Sequence, residues 1–443
     1  MFSLLAAYNL NYYQQLRNLW NNIDYPVLIN SEGEELYFRE ISRTRIIDFS
    51  DIREGDVVAL IGDFDARSIS ILLQLIEMNF IVVPLTDDTR SQHAYFFESA
   101  LVDVIIDGDS IKRIDHGKKH KYIQQLRLKK EFGLVLFSTG ITGRPKAILH
   151  NSALLRKWST TKRPSLTTLN FLLFDHIGGL NTLFLTLFSK GTSVAIKSRN
   201  VEDILSICSK YRIEVLPTTP TFLRMLLMSG LVPDKVSDSL QTITYGTEPM
   251  DQTTLDMLCS LLPKIDFRQA YGMSEIGIVP SKNKSRNSLF IKLGSDEVKV
   301  KTRGNELAIL SQTRMCGYLN TESPFDADGW YYTGDLVEEM DGFYRIVGRT
   351  NEVINVGGLK FMPSEVERIA LQFQGVAFAK AKGENNPITG QHVELTVEPI
   401  KGTILDKLEM QAFLSKILPK HMCPQKLVVS DIAVSHRFKK STT

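Results

Sequence analysis

The sequence predicts an α/β fold with a large N-terminal domain of parallel-sheet βαβ layers, a small β-rich subdomain and a small α+β C-terminal domain. Through the first two-thirds of the chain, apolar runs of strand length alternate with helix-length segments, which is typical of parallel sheets. After about Ser285 the pattern changes to short strands separated by polar turns, which is typical of a β-rich region. We place the domain boundary so that the two predicted domains span 1–349 and 350–443.

The first βαβ unit is the clearest in the chain. Residues 57–62 form an apolar run that predicts a buried strand, residues 68–77 carry apolar side chains at helical spacing, and residues 80–85 form the next strand. The same alternation predicts further strands at 101–106, 133–137, 194–196, 214–216, 242–245 and 266–270, and helices at 201–211, 222–228 and 251–262.

The later elements are shorter. Strands are predicted at 298–301, 306–310, 342–346 and 392–397. An amphipathic helix is predicted to begin near Pro363, with Ser364 as its N-cap and Glu367 three residues further on.

Composition excludes several classes of protein. A chain of 443 residues has room for about two to three domains, and a net charge of +2 gives no field that favours nucleic acid. Asp175 and His176 interrupt the most apolar long window, so no membrane insertion is predicted. The four cysteines form no CxxC pair, which argues against a zinc site or a disulfide framework. Since the N-terminus is also a poor secretion signal, we expect a cytoplasmic protein.

The segment 136–146 combines an apolar run with hydroxyls, two glycines and a lysine. Glycines allow backbone N–H groups to converge on one point, and hydroxyls and a lysine add further donors, which suits a polyphosphate. The spacing differs from that of the Walker loop, because the glycines are three apart and Pro145 precedes the lysine. A surface turn is the alternative interpretation. The candidate phosphate-binding residues are Ser138, Thr139, Gly140, Thr142, Gly143 and Lys146.

Two further segments accompany this loop. Residues 271–275 read Tyr-Gly-Met-Ser-Glu and residues 332–335 read Tyr-Thr-Gly-Asp, followed by Gly348-Arg349 and by Gly357-Gly358. In this order and approximate spacing the chain resembles the adenylate-forming superfamily, which comprises acyl- and aryl-CoA synthetases, adenylation domains of peptide synthetases and firefly luciferase. The resemblance extends from about residue 56 to residue 439.

The resemblance implies a nucleotide site. The loop 138–146 would steady the β- and γ-phosphates of ATP, although Ile141 and Ala147 replace the usual Thr and Gly. Tyr271 would stack on adenine beside Gly272, and Ser274 would contact the α-phosphate. By the same resemblance, Glu275 would hold Mg²⁺, Asp335 would accept hydrogen bonds from both ribose hydroxyls, and Arg349 would make a second ribose or phosphate contact.

The resemblance also implies an acid site. The loop Gly246, Thr247 and Glu248 would line both the acyl pocket and the adenine site. His176 would lie beside the substrate carboxylate that is being activated. Lys439 would bridge the carboxylate and the α-phosphate during adenylation, but Phe438 replaces the usual Gly before it and leaves Lys440 as a competitor.

The implied reaction has two halves. ATP activates a small-molecule carboxylic acid, aryl or acyl rather than an amino acid, and a thiol then takes the acyl group. The small domain would swing about a hinge at Asn351 and present Gly357 and Gly358 to the thiol tunnel. The thiol is predicted to be that of coenzyme A, with the phosphopantetheine of an acyl carrier protein as the alternative. A non-catalytic nucleotide-binding relative is the alternative of another class.

Overall fold

The computed structural model describes residues 12–43, 52–114, 118–138 and 144–432. The helices in this part of the chain are α1 Tyr12–Trp20, α2 Phe38–Arg43, α3 Ala66–Glu77, α4 His93–Ala100, α5 Lys121–Lys129, α6 Ala153–Thr160, α7 Ile177–Phe188, α8 Val201–Lys210, α9 Pro220–Met228, α10 Gln252–Leu261, α11 Pro363–Ala370 and α12 Lys407–Ile417. Short 3₁₀ helices span Asp87–Gln92, Thr350–Glu352 and Lys420–Met422.

The strands of the first half are β1 Leu28–Ile29, β2 Glu35–Leu36, β3 Val57–Ile61, β4 Ile81–Leu85, β5 Val104–Asp107, β6 Ser110–Arg113, β7 Gly133–Phe137, β8 Ala147–His150, β9 Thr168–Leu169, β10 Ser193–Val194, β11 Val215–Thr218, β12 Thr242–Tyr245 and β13 Asp266–Gln269. The later strands are β14 Tyr271–Met273, β15 Gly277–Val279, β16 Ser281–Asn283, β17 Ile291–Leu293, β18 Val298–Arg303, β19 Glu306–Ser311, β20 Gly317–Tyr318, β21 Tyr331–Met340, β22 Phe343–Arg349, β23 Ile354–Val356, β24 Leu359–Phe361, β25 Val376–Asn386, β26 Gly390–Pro399 and β27 Lys426–Val429.

Two seven-stranded sheets organise the large N-terminal domain. One has the order β20-β8-β7-β4-β3-β5-β6 and the other has the order β13-β12-β11-β9-β10-β1-β2. Parallel pairing joins β7, β4, β3 and β5 in the first sheet and every strand from β13 to β1 in the second. The α/β fold class that the sequence predicts is therefore confirmed.

The first sheet is covered on both faces, which explains its continuous apolar strands. Val58 and Leu60 of β3 belong to a core cluster with α1, α3, α6 and α7. Val57 and Ala59 of the same strand belong to a separate cluster with α4 and α5. Because successive side chains of a strand point to opposite faces, each face has its own core.

The β-rich region is an antiparallel sheet of six strands with the order β16-β17-β22-β21-β19-β18. Its longest hairpin, β21–β22, turns at Asp341 and Gly342, both with positive φ. The turn sets the register nearest to it, and an irregularity between Leu336 and Val337 shifts the register by one residue, which brings Asp335 opposite Arg349.

The smaller C-terminal domain has a five-stranded sheet, in which β26 pairs with β25, β23 and β27, and a core shared with α11 and α12. The predicted cap of α11 is wrong. The N-cap is Met362, whose backbone N–H donates to Glu365 Oε1 at 2.9 Å, while the Ser364 hydroxyl donates to the Val347 carbonyl at 2.9 Å. Proline is well suited to the first helical position, which moves the cap to the residue before Pro363.

A helix that spans a bilayer needs about 20 predominantly apolar residues. Within residues 12–43, 52–114, 118–138 and 144–432, no helix is long and apolar enough to cross a membrane.

Candidate functional site

Three predicted site residues form one hydrogen-bonded cluster. Asp335 is 5% exposed, and its Oδ2 accepts from the Tyr271 hydroxyl at 2.6 Å. Its Oδ1 accepts from Arg349 Nε at 3.0 Å. Asp335 and Arg349 are cross-strand partners in the β21–β22 hairpin, while Tyr271 belongs to β14. The hairpin register therefore creates the ion pair, and packing of β14 against the hairpin adds the tyrosine.

Burial governs the protonation of this cluster. It raises the pKa of Asp335, and the Arg349 guanidinium and the Tyr271 hydroxyl oppose that shift. Burial and then the negative charge of Asp335 raise the pKa of Tyr271 well above its ordinary value. Tyr271 therefore remains a hydroxyl donor at neutral pH.

Glu275 lies shortly after Tyr271 in the chain and is 9% exposed. Its Oε1 accepts from the Tyr318 hydroxyl at 3.0 Å. The ring of Tyr318 also lies under Lys146, with Nζ 4.9 Å from the ring centroid. One tyrosine thus connects Glu275, the predicted metal ligand, to Lys146 of the predicted phosphate-binding loop (residues 138–146, here called the phosphate-type loop). Sequence reasoning missed Tyr318, because a Gly-Tyr pair in a short strand carries no distinguishing signal.

The base of the phosphate-type loop is closed by two hydrogen bonds. Ser138 N–H donates to the Lys146 carbonyl at 3.1 Å, and Lys146 N–H donates to Ser138 Oγ at 3.2 Å. The loop thus joins antiparallel β7 and β8 at the edge where parallel β4 and β3 end. The predicted phosphate-binding residues Thr139, Gly140, Thr142 and Gly143 lie outside the described residues.

A buried histidine supports the segment that contains Ser274. His150, 1% exposed at the end of β8, donates through Nε2 to the Ser274 carbonyl at 2.5 Å. Burial lowers the pKa of His150 to about 4, against the opposing effect of backbone hydrogen bonds to Ser274 and Thr313. This neutral imidazole joins the strand after the phosphate-type loop to the segment beside Glu275. Sequence reasoning missed it, because one His at the end of an apolar strand is usually structural.

The predicted wall of the acyl pocket follows β12. A Cβ at Gly246 would lie 2.4 Å from the Ala270 carbonyl, so only glycine allows this approach to the neighbouring strand end. Thr247 has φ +74°, which is uncommon for a β-branched residue. Glu248 Oε1 accepts from Thr221 N–H at 2.7 Å and so satisfies one of the free N–H groups in the first turn of α9. Gly272 is confined in the same way, since a Cβ there would lie 2.6 Å from the Gly277 carbonyl.

His176 is the N-cap of α7. Its Nδ1 accepts from Gly178 N–H at 3.1 Å, so the neutral ring carries its proton on Nε2. Gly179 permits a close backbone approach, because a Cβ at this position would lie 1.9 Å from the Leu173 carbonyl. The capping geometry therefore determines both the tautomer and the position of the imidazole.

The predicted hinge and thiol-tunnel residues lie on the surface. Asn351 is exposed within a 3₁₀ helix, and Gly357 and Gly358 are exposed in the turn between β23 and β24. A Cβ built on either glycine would meet no atom within 4 Å. Lys439 and its competitor Lys440 lie outside the described residues.

Solved structures of other proteins share this architecture. The anthranilate CoA ligase AuaEII in complex with anthranoyl-AMP superposes with a TM-score of 0.80 at 16% identity, covering 97% of this chain and 95% of that one. ATP-bound MatB from Rhodopseudomonas palustris superposes with a TM-score of 0.75 at 19% identity, covering 96% of each chain. At such identities the likeness shows the fold.

The family is shown by the sequence. The profile described as AMP-binding enzyme matches residues 49–313, more than half of the chain, and the protein belongs to this family. A 4-coumarate–CoA ligase of Pinus taeda is 26% identical over 316 residues, which cover 63% of this chain and 58% of the relative. A probable 4-coumarate–CoA ligase of Dictyostelium discoideum is 28% identical over 300 residues, which cover 61% and 54%. The chain thus spans little more than half the length of these relatives.

Proposed function

We propose that the protein uses ATP to convert a carboxylic acid into an acyl-adenylate and then transfers the acyl group to the thiol of coenzyme A. The observation on which this depends most is the buried contact of Asp335 with Tyr271 and Arg349. A carboxylate has about four lone-pair positions, and these two hydrogen bonds use two. Two remain for a pair of ribose hydroxyls, which supports the role of Asp335 in binding the nucleotide.

A magnesium ion fits the same region. Among the described residues, no group of three or more His, Cys, Asp and Glu side chains is arranged to hold a metal. Mg²⁺ bound to a nucleotide needs only one or two protein carboxylates, since phosphate and water supply the other ligands. Glu275 fits that requirement, because the Tyr318 hydroxyl orients one oxygen and leaves the other for the ion. Bound there, Mg²⁺ would neutralise phosphate charge.

The acid is proposed to bind near His176. With Nδ1 accepting from Gly178 N–H, the ring proton lies on Nε2, and an N–H donor is what contact with a carboxylate requires. The helices α7 and α9 are rich in buried apolar side chains, which favours an aryl or aliphatic acid over an amino acid. The relatives named as 4-coumarate–CoA ligases support an aryl acid.

In the first half-reaction, a carboxylate oxygen attacks the α-phosphorus and the bond to the bridging oxygen breaks, so that pyrophosphate leaves. In the second, the thiol loses its proton, sulfur attacks the acyl carbon and AMP leaves. We propose that Lys439 assists the first half. We also propose that the chain divides into domains 1–349 and 350–443, which pivot at Asn351 to bring Gly357 and Gly358 to the thiol.

The test is ATP–pyrophosphate exchange across a panel of hydroxycinnamic, benzoic, fatty and amino acids. We expect exchange with an aryl or aliphatic acid, and thioester formation when coenzyme A is added. Thioester formed only with a pantetheinylated carrier protein would replace coenzyme A as the acceptor. ATP binding without exchange for any acid would contradict the proposal and indicate a non-catalytic relative.

A further inference from the structure

Arg224 joins the two domains through backbone atoms. It lies on α9 of the large domain and is 5% exposed. Its Nε donates to the Ala377 carbonyl at 2.8 Å, and Nη2 donates to the Val376 carbonyl at 3.0 Å. Both acceptors belong to β25 of the small domain. Nη1 donates to Thr254 Oγ1 at 3.1 Å on α10, so the large domain orients the same guanidinium.

Strand β25 has an irregularity at the point where Arg224 contacts it. In the described sheet, β25 pairs with β26, and Arg224 contacts the Val376 and Ala377 carbonyls at the start of β25. The register of that pair shifts between Val376 and Phe378, which leaves Ala377 in a bulge. A bulge disrupts the regular alternation of the ladder, and consecutive carbonyls can then face the same side. That is the arrangement the forked guanidinium of Arg224 requires.

Apolar side chains surround the contact. Ala377, Phe378 and Ile432 form a buried cluster against which Met225 and Met228 of α9 pack. Here the Arg224 cation loses hydration and receives neutral acceptors in exchange, so its net contribution to stability is small. Its directional demand is large, because rotating the small domain would separate Nε and Nη2 from the Ala377 and Val376 carbonyls. Such a contact specifies one domain arrangement while leaving it able to open.

The described arrangement leaves the proposed thiol-tunnel turn in solvent, since Gly357 and Gly358 are exposed and a Cβ on either would meet no atom within 4 Å. We infer that Arg224 is a positioning residue that selects the adenylate-forming arrangement and must release β25 before the thiol can react. This inference rests on the proposed function, because it assigns one arrangement of the domains to each half-reaction.

The test compares Arg224→Met with a matched control, Arg286→Met. Arg286 donates to the carbonyls of Ile265 and Cys259 at 2.8 and 2.9 Å and to that of Leu262, all within the large domain. Both variants lose a guanidinium bound to main-chain carbonyls, but only one loses an interdomain contact. The readouts are ATP–pyrophosphate exchange, thioester formation from supplied acyl-adenylate, and small-angle scattering of the protein without ligands.

For Arg224→Met we expect exchange to fall about tenfold, as for the loss of hydrogen bonds to a charged group. Thioester formation should be unchanged. The distribution of interatomic distances from small-angle scattering should be broader. Arg224→Lys, which can reach one carbonyl, should show a smaller fall. Arg286→Met should affect both half-reactions equally and leave the scattering unchanged.

Equal loss of both half-reactions in Arg224→Met, or unchanged exchange and scattering, would overturn the inference. Absence of exchange in the unmodified protein would instead refute the proposed function. In that case the scattering of the two arginine variants would still decide whether Arg224 holds the domains together.

Discussion

The cluster of Asp335, Tyr271 and Arg349 and the proposed thiol-tunnel turn at Gly357 and Gly358 are organised in opposite ways. Asp335, Tyr271 and Arg349 are held to one another by hydrogen bonds before any nucleotide binds. Gly357 and Gly358 lie exposed in a turn where a Cβ on either residue would meet no atom within 4 Å. Strand register thus assembles the first cluster within one domain, whereas the proposed role of the second turn requires the C-terminal domain to move. Preorganisation is therefore expected for nucleotide binding, and movement is expected for thiol transfer.

The largest expected effect concerns a residue of the small domain. Lys439→Ala should lower ATP–pyrophosphate exchange by about 100- to 1,000-fold, as the loss of one donor to developing charge does in other enzymes. Thioester formation from supplied acyl-adenylate should persist, because the lysine is proposed to act in one arrangement only. Lys440→Ala is the control. If Lys440→Ala alone abolished exchange, the assignment would move by one residue, and equal loss of both half-reactions would refute it.

The next-largest expected effect concerns His150 and the pH dependence of the protein's stability. Burial lowers the pKa of His150 from 6.5 to about 4, so between these values the unfolded chain binds a proton that the folded protein does not. Stability from this site is therefore present above pH 6.5 and is lost as the pH falls toward 4. At about 1.4 kcal/mol per pH unit, the loss is roughly 3 kcal/mol.

Urea unfolding of the protein and of His150→Gln at pH 7 and pH 4 measures this loss. The amide of glutamine can still donate to a carbonyl but does not titrate, so the variant should lose less stability on acidification. His421→Gln, a substitution in the small domain, controls for a general effect of removing a histidine. Identical pH dependence of the protein and His150→Gln would show that the imidazole is accessible to protons.

Asp335→Ala tests the cluster directly. A buried carboxylate that binds two ribose hydroxyls should contribute about 1.5–3 kcal/mol to ATP binding, as hydrogen bonds to charged groups do. Calorimetric titration of the folded variant with ATP measures the difference. Asp341→Ala, at the exposed turn of the same hairpin, should leave ATP affinity unchanged. Normal affinity in Asp335→Ala would remove this residue from the nucleotide site.

The smallest expected effect concerns Tyr318. Tyr318→Phe removes the hydrogen bond to Glu275 Oε1, which should contribute about 1 kcal/mol to orienting the carboxylate. The Mg²⁺ concentration that gives half-maximal exchange should rise by about fivefold, with little change in ATP affinity measured without metal. Tyr344→Phe in β22 is the control. An unchanged Mg²⁺ requirement in Tyr318→Phe would show that Glu275 needs no support from this hydroxyl.

Much of the fold was predictable because its strands are buried on both faces. The strand at Gly133–Phe137 and that at Thr242–Tyr245 have the predicted limits. The strand predicted at 101–106 lies instead at Val104–Asp107, since Leu101 adopts a left-handed conformation that ends the preceding helix. The cap of α11 was missed because Ser364 and Pro363 both carry helix-start signals, and the backbone geometry favours the proline as the first helical residue.

The sequence alone determined the α/β class, the order of the site motifs and the residue types that a nucleotide site requires, because hydrophobic period and motif spacing are local properties of the chain. Only the tertiary structure decided which side chains meet. Tyr318 reaches Glu275, His150 reaches Ser274, and Arg224 reaches β25 across more than 150 residues. Such contacts depend on how sheets and domains pack against one another, and that packing leaves no periodic signal along the sequence.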